Sequence, residues 1–129
     1  MSNLLDGIPV IEVILENPFF DVKYPKNESV LGVFDTGYEG FAIVPERVFE
    51  ELKMNELRLH RRKIMLPNGE LEESVGTYGR IRIVDLNITK DGFIETSKGV
   101  NEIVLGIEFA NGLMLTLDYC TKRFEISIC

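Results

Sequence analysis

The stretch Val30-Leu31-Gly32-Val33-Phe34-Asp35-Thr36-Gly37-Tyr38-Glu39-Gly40-Phe41 decides how the chain is read. Apolar and β-branched residues fill Ser29 to Phe34 without a clean alternation, which predicts a strand buried on both faces. The run ends abruptly on an acid, a threonine and a glycine, and a second glycine follows three residues later. A rigid strand followed by a glycine-shaped turn delivers a carboxylate to a fixed point. A charge at the end of a buried strand costs free energy unless hydrogen bonds or a function offset it. Asp35 is therefore the first candidate for chemistry.

Working outward, Phe41 to Val44 predicts another short buried strand, and Pro45 starts a helix. Proline is tolerated at the first helical position, and Glu46 meets the positive end of the helix dipole. Val48, Phe49 and Leu52 fall on one face, with Arg47, Glu50, Glu51 and Lys53 outward. Upstream, Ile8 to Leu15 predicts a strand broken at Asn17-Pro18, and Phe19 to Lys23 a second short one. Downstream, Asn68-Gly69 is the strongest hairpin signal, with arms at Lys63 to Leu66 and Leu71 to Val75. Gly76 and Gly79 bracket Tyr78 and suggest a bend or bulge before an alternating strand at Arg80 to Val84. Lys90-Asp91-Gly92 reads as a hairpin turn onto Phe93 to Thr96. Val100 to Leu105 then runs into Gly106, Ile107 to Asn111 forms a helical turn capped by Gly112, and Leu113 to Leu117 and Phe124 to Ile128 close the chain. Many short strands, one clear helix and glycine-marked turns predict an all-β barrel or sandwich.

The composition limits what such a domain does. With 129 residues, 45% of them hydrophobic and 27% charged, the chain fits one ordinary globular domain, residues 1–129. The net charge of −7 argues against a nucleic-acid partner. The basic cluster Arg58, His60, Arg61, Arg62 and Lys63 is followed by the acidic Glu70, Glu72 and Glu73, so the two are expected to pair or face solvent. No signal peptide or membrane span is read, which gives a cytoplasmic expectation. One histidine, with Cys120 and Cys129 outside any CxxC spacing, predicts no metal site, no cofactor, and buried or idle thiols in a reducing compartment.

A lone Asp-Thr-Gly is weak evidence, because an aspartate that caps its own turn uses the same residues. The longer stretch from Val33 to Pro45, however, resembles the active-site loop of retropepsin-like aspartic proteases, above all the small prokaryotic members. A second hallmark of that family, two apolar residues and a glycine leading into a short helix, is matched by Val104-Leu105-Gly106-Ile107-Glu108-Phe109. The resemblance runs from about Ser29 to the C-terminus. It implies a closed retropepsin-like barrel with one main short helix and a C-terminal helical turn.

The resemblance also implies a mechanism. Each chain would carry one catalytic aspartate, Asp35, and a homodimer would bring two together. Two adjacent carboxylates cannot both ionise easily, so the dyad holds one proton and titrates as a unit. One member would deprotonate water for attack on a peptide carbonyl while the other donates to the oxyanion. Thr36 would bond across the dimer axis and Gly37 would admit the substrate backbone, both supporting the active-site loop, while Leu105-Gly106 is the late glycine motif. The Asn68-Gly69 hairpin would be the flap over an extended peptide. The retroviral enzymes pair an acid in this loop with an arginine after the late glycine; here those positions are Glu39 and Ile107, so that ion pair is not available. Strands at Val10 to Leu15 and Phe124 to Ile128 are candidates for an intersubunit sheet, or else complete the barrel of their own chain. The alternative function is a non-catalytic peptide-binding or assembly module that keeps the fold.

Overall fold

The computed structural model describes residues 2–65 and 69–129. It is mostly β, with eleven strands: β1 Ser2–Leu5, β2 Ile8–Asn17, β3 Val22–Tyr24, β4 Val30–Phe34, β5 Ala42–Val44, β6 His60–Met65, β7 Leu71–Ile83, β8 Ile88–Thr96, β9 Val104–Leu105, β10 Leu113–Asp118 and β11 Arg123–Ile128. Among the described residues two short α-helices, α1 Glu46–Glu51 and α2 Ile107–Ala110, and one 3-10 turn, Met54–Glu56, interrupt them. Among the described residues no helix is long and apolar enough to cross a membrane.

The long strand β2 organises the sheet. Its Val10–Val13 segment pairs with β4, and Val13–Glu16 pairs with β7. Its two ends also take β1 and β3. The main sheet runs β1-β2-β4-β9-β5-β8-β7-β6, and the further β2–β7 ladder returns the path to β2. Strands β10 and β11 form a separate two-stranded sheet. Val10 to Leu15 is thus engaged on its own chain's ladders, whereas among the described residues β11 pairs with β10 alone.

The core lies between these strands and α1. Val13, Leu15, Ile81, Ile83, Ile94 and Phe109 are fully buried, each contributing about 1.5–3 kcal/mol by leaving water. The expected alternation in β7 holds, with Ile81 and Ile83 inward and Arg82 exposed. Helix α1 starts after Pro45 and buries Val48 and Phe49, with Leu52 at its end.

Several local expectations are corrected. Strand β4 is not buried on both faces: Gly32 and Phe34 point inward, while Leu31, across from Glu12, is exposed. The second short strand is Val22–Tyr24, and Phe19 to Asp21 form the turn before it. No bulge interrupts β7 at Gly76 and Gly79, because its register with β8 is continuous from Val75↔Thr96 to Ile83↔Ile88. Those glycines answer to packing: a Cβ at Gly76 would lie 2.6 Å from the Ile94 carbonyl oxygen, and one at Gly79 2.8 Å from Ile94 Cδ1. Lys90-Asp91-Gly92 lies inside β8, and the chain turns instead at Val84 to Asn87, where Asn87 takes a φ of 49°. Of Val100 to Leu105 only Val104–Leu105 is strand.

Candidate active site

The two sequence motifs meet. Strand β9 is inserted between β4 and β5, parallel to the first and antiparallel to the second, so that Leu105 lies beside both Phe34 and Ala42. The strand before the Asp35 loop and the strand after it are therefore clamped by the residue that precedes Gly106. The Asp35 N–H donates to the Leu105 carbonyl at 2.9 Å. The Gly106 N–H donates to Phe41 O at 3.0 Å, Ile107 N–H to Tyr38 O at 2.9 Å and Glu108 N–H to Gly40 O at 3.2 Å. A glycine is required at 106 because an added Cβ would run into the Gly40 and Tyr38 carbonyl oxygens.

Aromatic packing fixes the base of the loop. Phe34 leads into it, Phe41 leaves it, and Phe109 of α2 meets both, with ring centroids 6.4 Å and 5.4 Å away. Helix α2 is held in turn by Lys90, whose ammonium donates to the Phe109 and Asn111 carbonyls and sits 5.4 Å from the Phe109 ring centre. Desolvation lowers the Lys90 pKa.

Asp35, Thr36 and Gly37 are all exposed. The Asp35 carboxylate accepts the Gly37 N–H at 2.8 Å, and the Tyr38 N–H donates to the Asp35 carbonyl at 3.1 Å. Exposure removes the burial cost expected for this acid. Among the described residues no cation pairs with it.

The hairpin expected at Asn68-Gly69 joins β6 to β7, with Met65 opposite Leu71. Asn68 lies outside the described residues; Gly69 has the positive φ, 86°, that such a turn demands. Leu66, the expected end of the first arm, also lies outside the described residues; in the last described pair of the ladder both side chains are exposed, Met65 at 72% and Leu71 at 62%. Of the basic and acidic runs, Arg61 and Glu73 do pair across the ladder at 3.0 Å, in solvent. Arg62 turns the other way.

Arg62 belongs to a cluster that sequence reasoning missed. Glu95 of β8 is fully buried and accepts four hydrogen bonds. Arg62 donates to it through Nε at 2.7 Å and Nη2 at 2.6 Å, Ser74 through Oγ at 2.6 Å, and the Tyr38 hydroxyl completes the set. Burial alone would raise the Glu95 pKa, but the bonds from Arg62, Ser74 and Tyr38 outweigh it and hold the carboxyl below its ordinary value. Burial, reinforced by Glu95, pushes the Tyr38 hydroxyl far above the usual phenol range, so it stays a donor. One carboxylate thus ties together the Asp35 loop, β6, β7 and β8. The only local signal was a lone glutamate within a short β-branched run.

Beside this cluster opens a groove of about 360 Å³, lined by Gly40 and Phe41 of the loop, His60 and Arg62 of β6, and Tyr78 and Phe93 of the neighbouring strands. The Tyr78 and Phe93 rings meet edge-on at 5.6 Å. Aromatic rings, the Arg61 and Arg62 guanidinium groups and the Glu108 carboxylate all line the groove.

A protein of Archaeoglobus fulgidus is 54% identical over 125 residues, covering 97% of this chain and 98% of its own length. The chain belongs to that protein's family. The relative bears the name "Uncharacterized protein", so kinship brings no activity with it. No family model and no solved structure matches the chain. Of the two states expected for Cys120 and Cys129, burial does not hold: both are free and exposed.

Proposed function

We propose that the chain is a retropepsin-like aspartic endopeptidase that acts as a homodimer, with Asp35 from each copy forming a dyad that activates water. The observation that carries this reading is the convergence of Asp35 and Gly106: an exposed carboxylate on a loop whose backbone is clamped by the late glycine turn. A catalytic acid must be both accessible and held still, and Asp35 meets both conditions. The return of the strand path to β2 supports the closed barrel that the resemblance implies.

A single carboxylate is half a dyad, and the surface around Asp35 suits a second copy. Extending the β2–β4 register sets Asp35 level with Ile8, which pairs with Leu5. Ile8, Leu5 and Ile107 are exposed, as is Tyr119, whose hydroxyl donates to the Gly7 carbonyl at 3.2 Å. A second copy placed there would cover these side chains and set two Asp35 loops face to face. Thr36 on the same loop would then bond across the axis. The groove lined by Phe41, Tyr78 and Phe93 would take a side chain of an extended peptide, with the β6–β7 hairpin above it. Two exposed free thiols fit a cytoplasmic, reducing setting.

One observation favours the other reading, a peptide-binding module without catalysis. The Gly37 N–H bond to Asp35 is also what an aspartate makes when it only caps its own turn. Cleavage of an unfolded protein by wild type and by Asp35→Asn separates the two. The protease reading expects cleavage by wild type and none by Asp35→Asn, with fold and dimer unchanged. Undiminished cleavage by the variant, or a strict monomer in sedimentation at micromolar concentration, rules it out.

A further inference from the structure

We propose that Glu95 is a positioning residue that couples the β6–β7 hairpin to the Asp35 loop, so that neither moves without the other. The kinetic part of this inference rests on the protease reading; the mechanical part does not. The Asp35 loop is held from one side by backbone bonds to Leu105, Gly106 and α2. Its side-chain anchor on the other side is Tyr38, three residues beyond Asp35, which donates to Glu95 Oε2. The same oxygen accepts Arg62 Nη2, and Oε1 accepts Arg62 Nε and Ser74 Oγ. Arg62 lies in one arm of the hairpin and Ser74 in the other, paired in register.

The two-pronged Arg62–Glu95 contact fixes orientation as well as distance, since the planar guanidinium meets both carboxylate oxygens. Ion pairs with a buried partner are weak devices for stability, because apolar residues of similar volume often do as well; here Glu95 is buried and Arg62 is partly exposed. Their distinctive product is geometry. Gly40 fits the same design: a Cβ there would lie 2.5 Å from the Tyr38 hydroxyl and 2.8 Å from Arg62 Nη2. The second glycine of the loop is thus the space into which the tether closes. Arg62 and Gly40 also line the aromatic groove, so a bound peptide would touch the tether directly.

The test compares wild type, Tyr38→Phe and Glu95→Gln by amide hydrogen exchange, and by kcat and KM on an unfolded protein substrate. Tyr38→Phe removes one donor and leaves the Arg62–Glu95 pair, so the fold is retained even if Glu95→Gln weakens it. The expected result for Tyr38→Phe is exchange faster by about tenfold, both at residues 35–41 and at residues 60–65. A comparable fall in kcat with little change in KM should accompany it. Faster exchange confined to residues 35–41, or unchanged exchange in both segments, overturns the coupling. An active enzyme whose kcat ignores Tyr38→Phe overturns the positioning role. If wild type cleaves nothing, the protease reading fails, and exchange alone still decides whether the tether exists.

Discussion

Two carboxylates flank the same loop and live in opposite worlds. Asp35 is exposed, accepts one backbone N–H from its own turn, and has no cation beside it among the described residues. Glu95 is sealed from solvent, accepts four hydrogen bonds, and is gripped at both oxygens by one guanidinium. A group whose bonding capacity is saturated within the fold cannot move protons or meet a substrate. A group held by its backbone with its side chain left open can do both. The proposed function gives chemistry to Asp35 and geometry to Glu95, and that division can be broken or sharpened by substitution.

The largest effect should come at Asp35. Asp35→Asn keeps the shape and the bond to Gly37 but removes the proton-transfer group, so cleavage should fall by at least about 10²–10⁴-fold in a steady-state assay. Its thermal midpoint should match wild type. The opposite profile is expected at the other carboxylate: Arg62→Ala strands a buried charge, and chemical denaturation should show a loss of about 3 kcal/mol. If Asp35→Asn proved the more destabilising of the two, the division of labour would be wrong.

Gly106→Ala comes next, because the new methyl group meets backbone oxygens that cannot swing aside. Denaturation should show a cost of about 1–3 kcal/mol, with loss of activity from a displaced Asp35 loop. The pH dependence separates the carboxylates further. Glu95 has a lowered pKa in the folded chain, so its contribution is present above the ordinary value of 4.5 and is lost as pH falls through the lower folded value. Glu95→Gln should therefore unfold with a flatter pH dependence between those two values, measured as midpoint against pH. The smallest effect is reserved for Arg61→Ala. Its pair with Glu73 lies in solvent, and breaking it should change stability by less than about 1 kcal/mol.

What could be read in the sequence depended on how local each signal was. The turn at Asp35-Thr36-Gly37, the one at Gly106 and the pairing of β6 with β7 were legible because acids and glycines after strands answer to short-range sterics. Helix α1 was equally plain, from Pro45 and the spacing of Val48, Phe49 and Leu52. Lys90-Asp91-Gly92 misled because Asp-Gly is a turn signature, yet here the long β7–β8 ladder overrides it. Asp91 instead faces Arg80 at 2.9 Å, and Gly92 makes room for the Phe41 ring. Glu95 could not have been found by pattern, since its partners come from 21, 33 and 57 residues away in the chain. Leu31 shows the same limit in reverse: an apolar residue in an apolar run, facing outward because Gly32 and Phe34 take the inner face.

The proposed dyad requires two copies to share one catalytic centre, and mixing subunits tests that requirement. Wild-type chain is combined with excess Asp35→Asn, allowed to exchange partners, and assayed at constant total protein. A shared dyad predicts activity that falls as the square of the wild-type fraction, to about one quarter at equal parts. Activity that falls only in proportion, to about one half, would mean that each chain works alone, and would contradict the dyad.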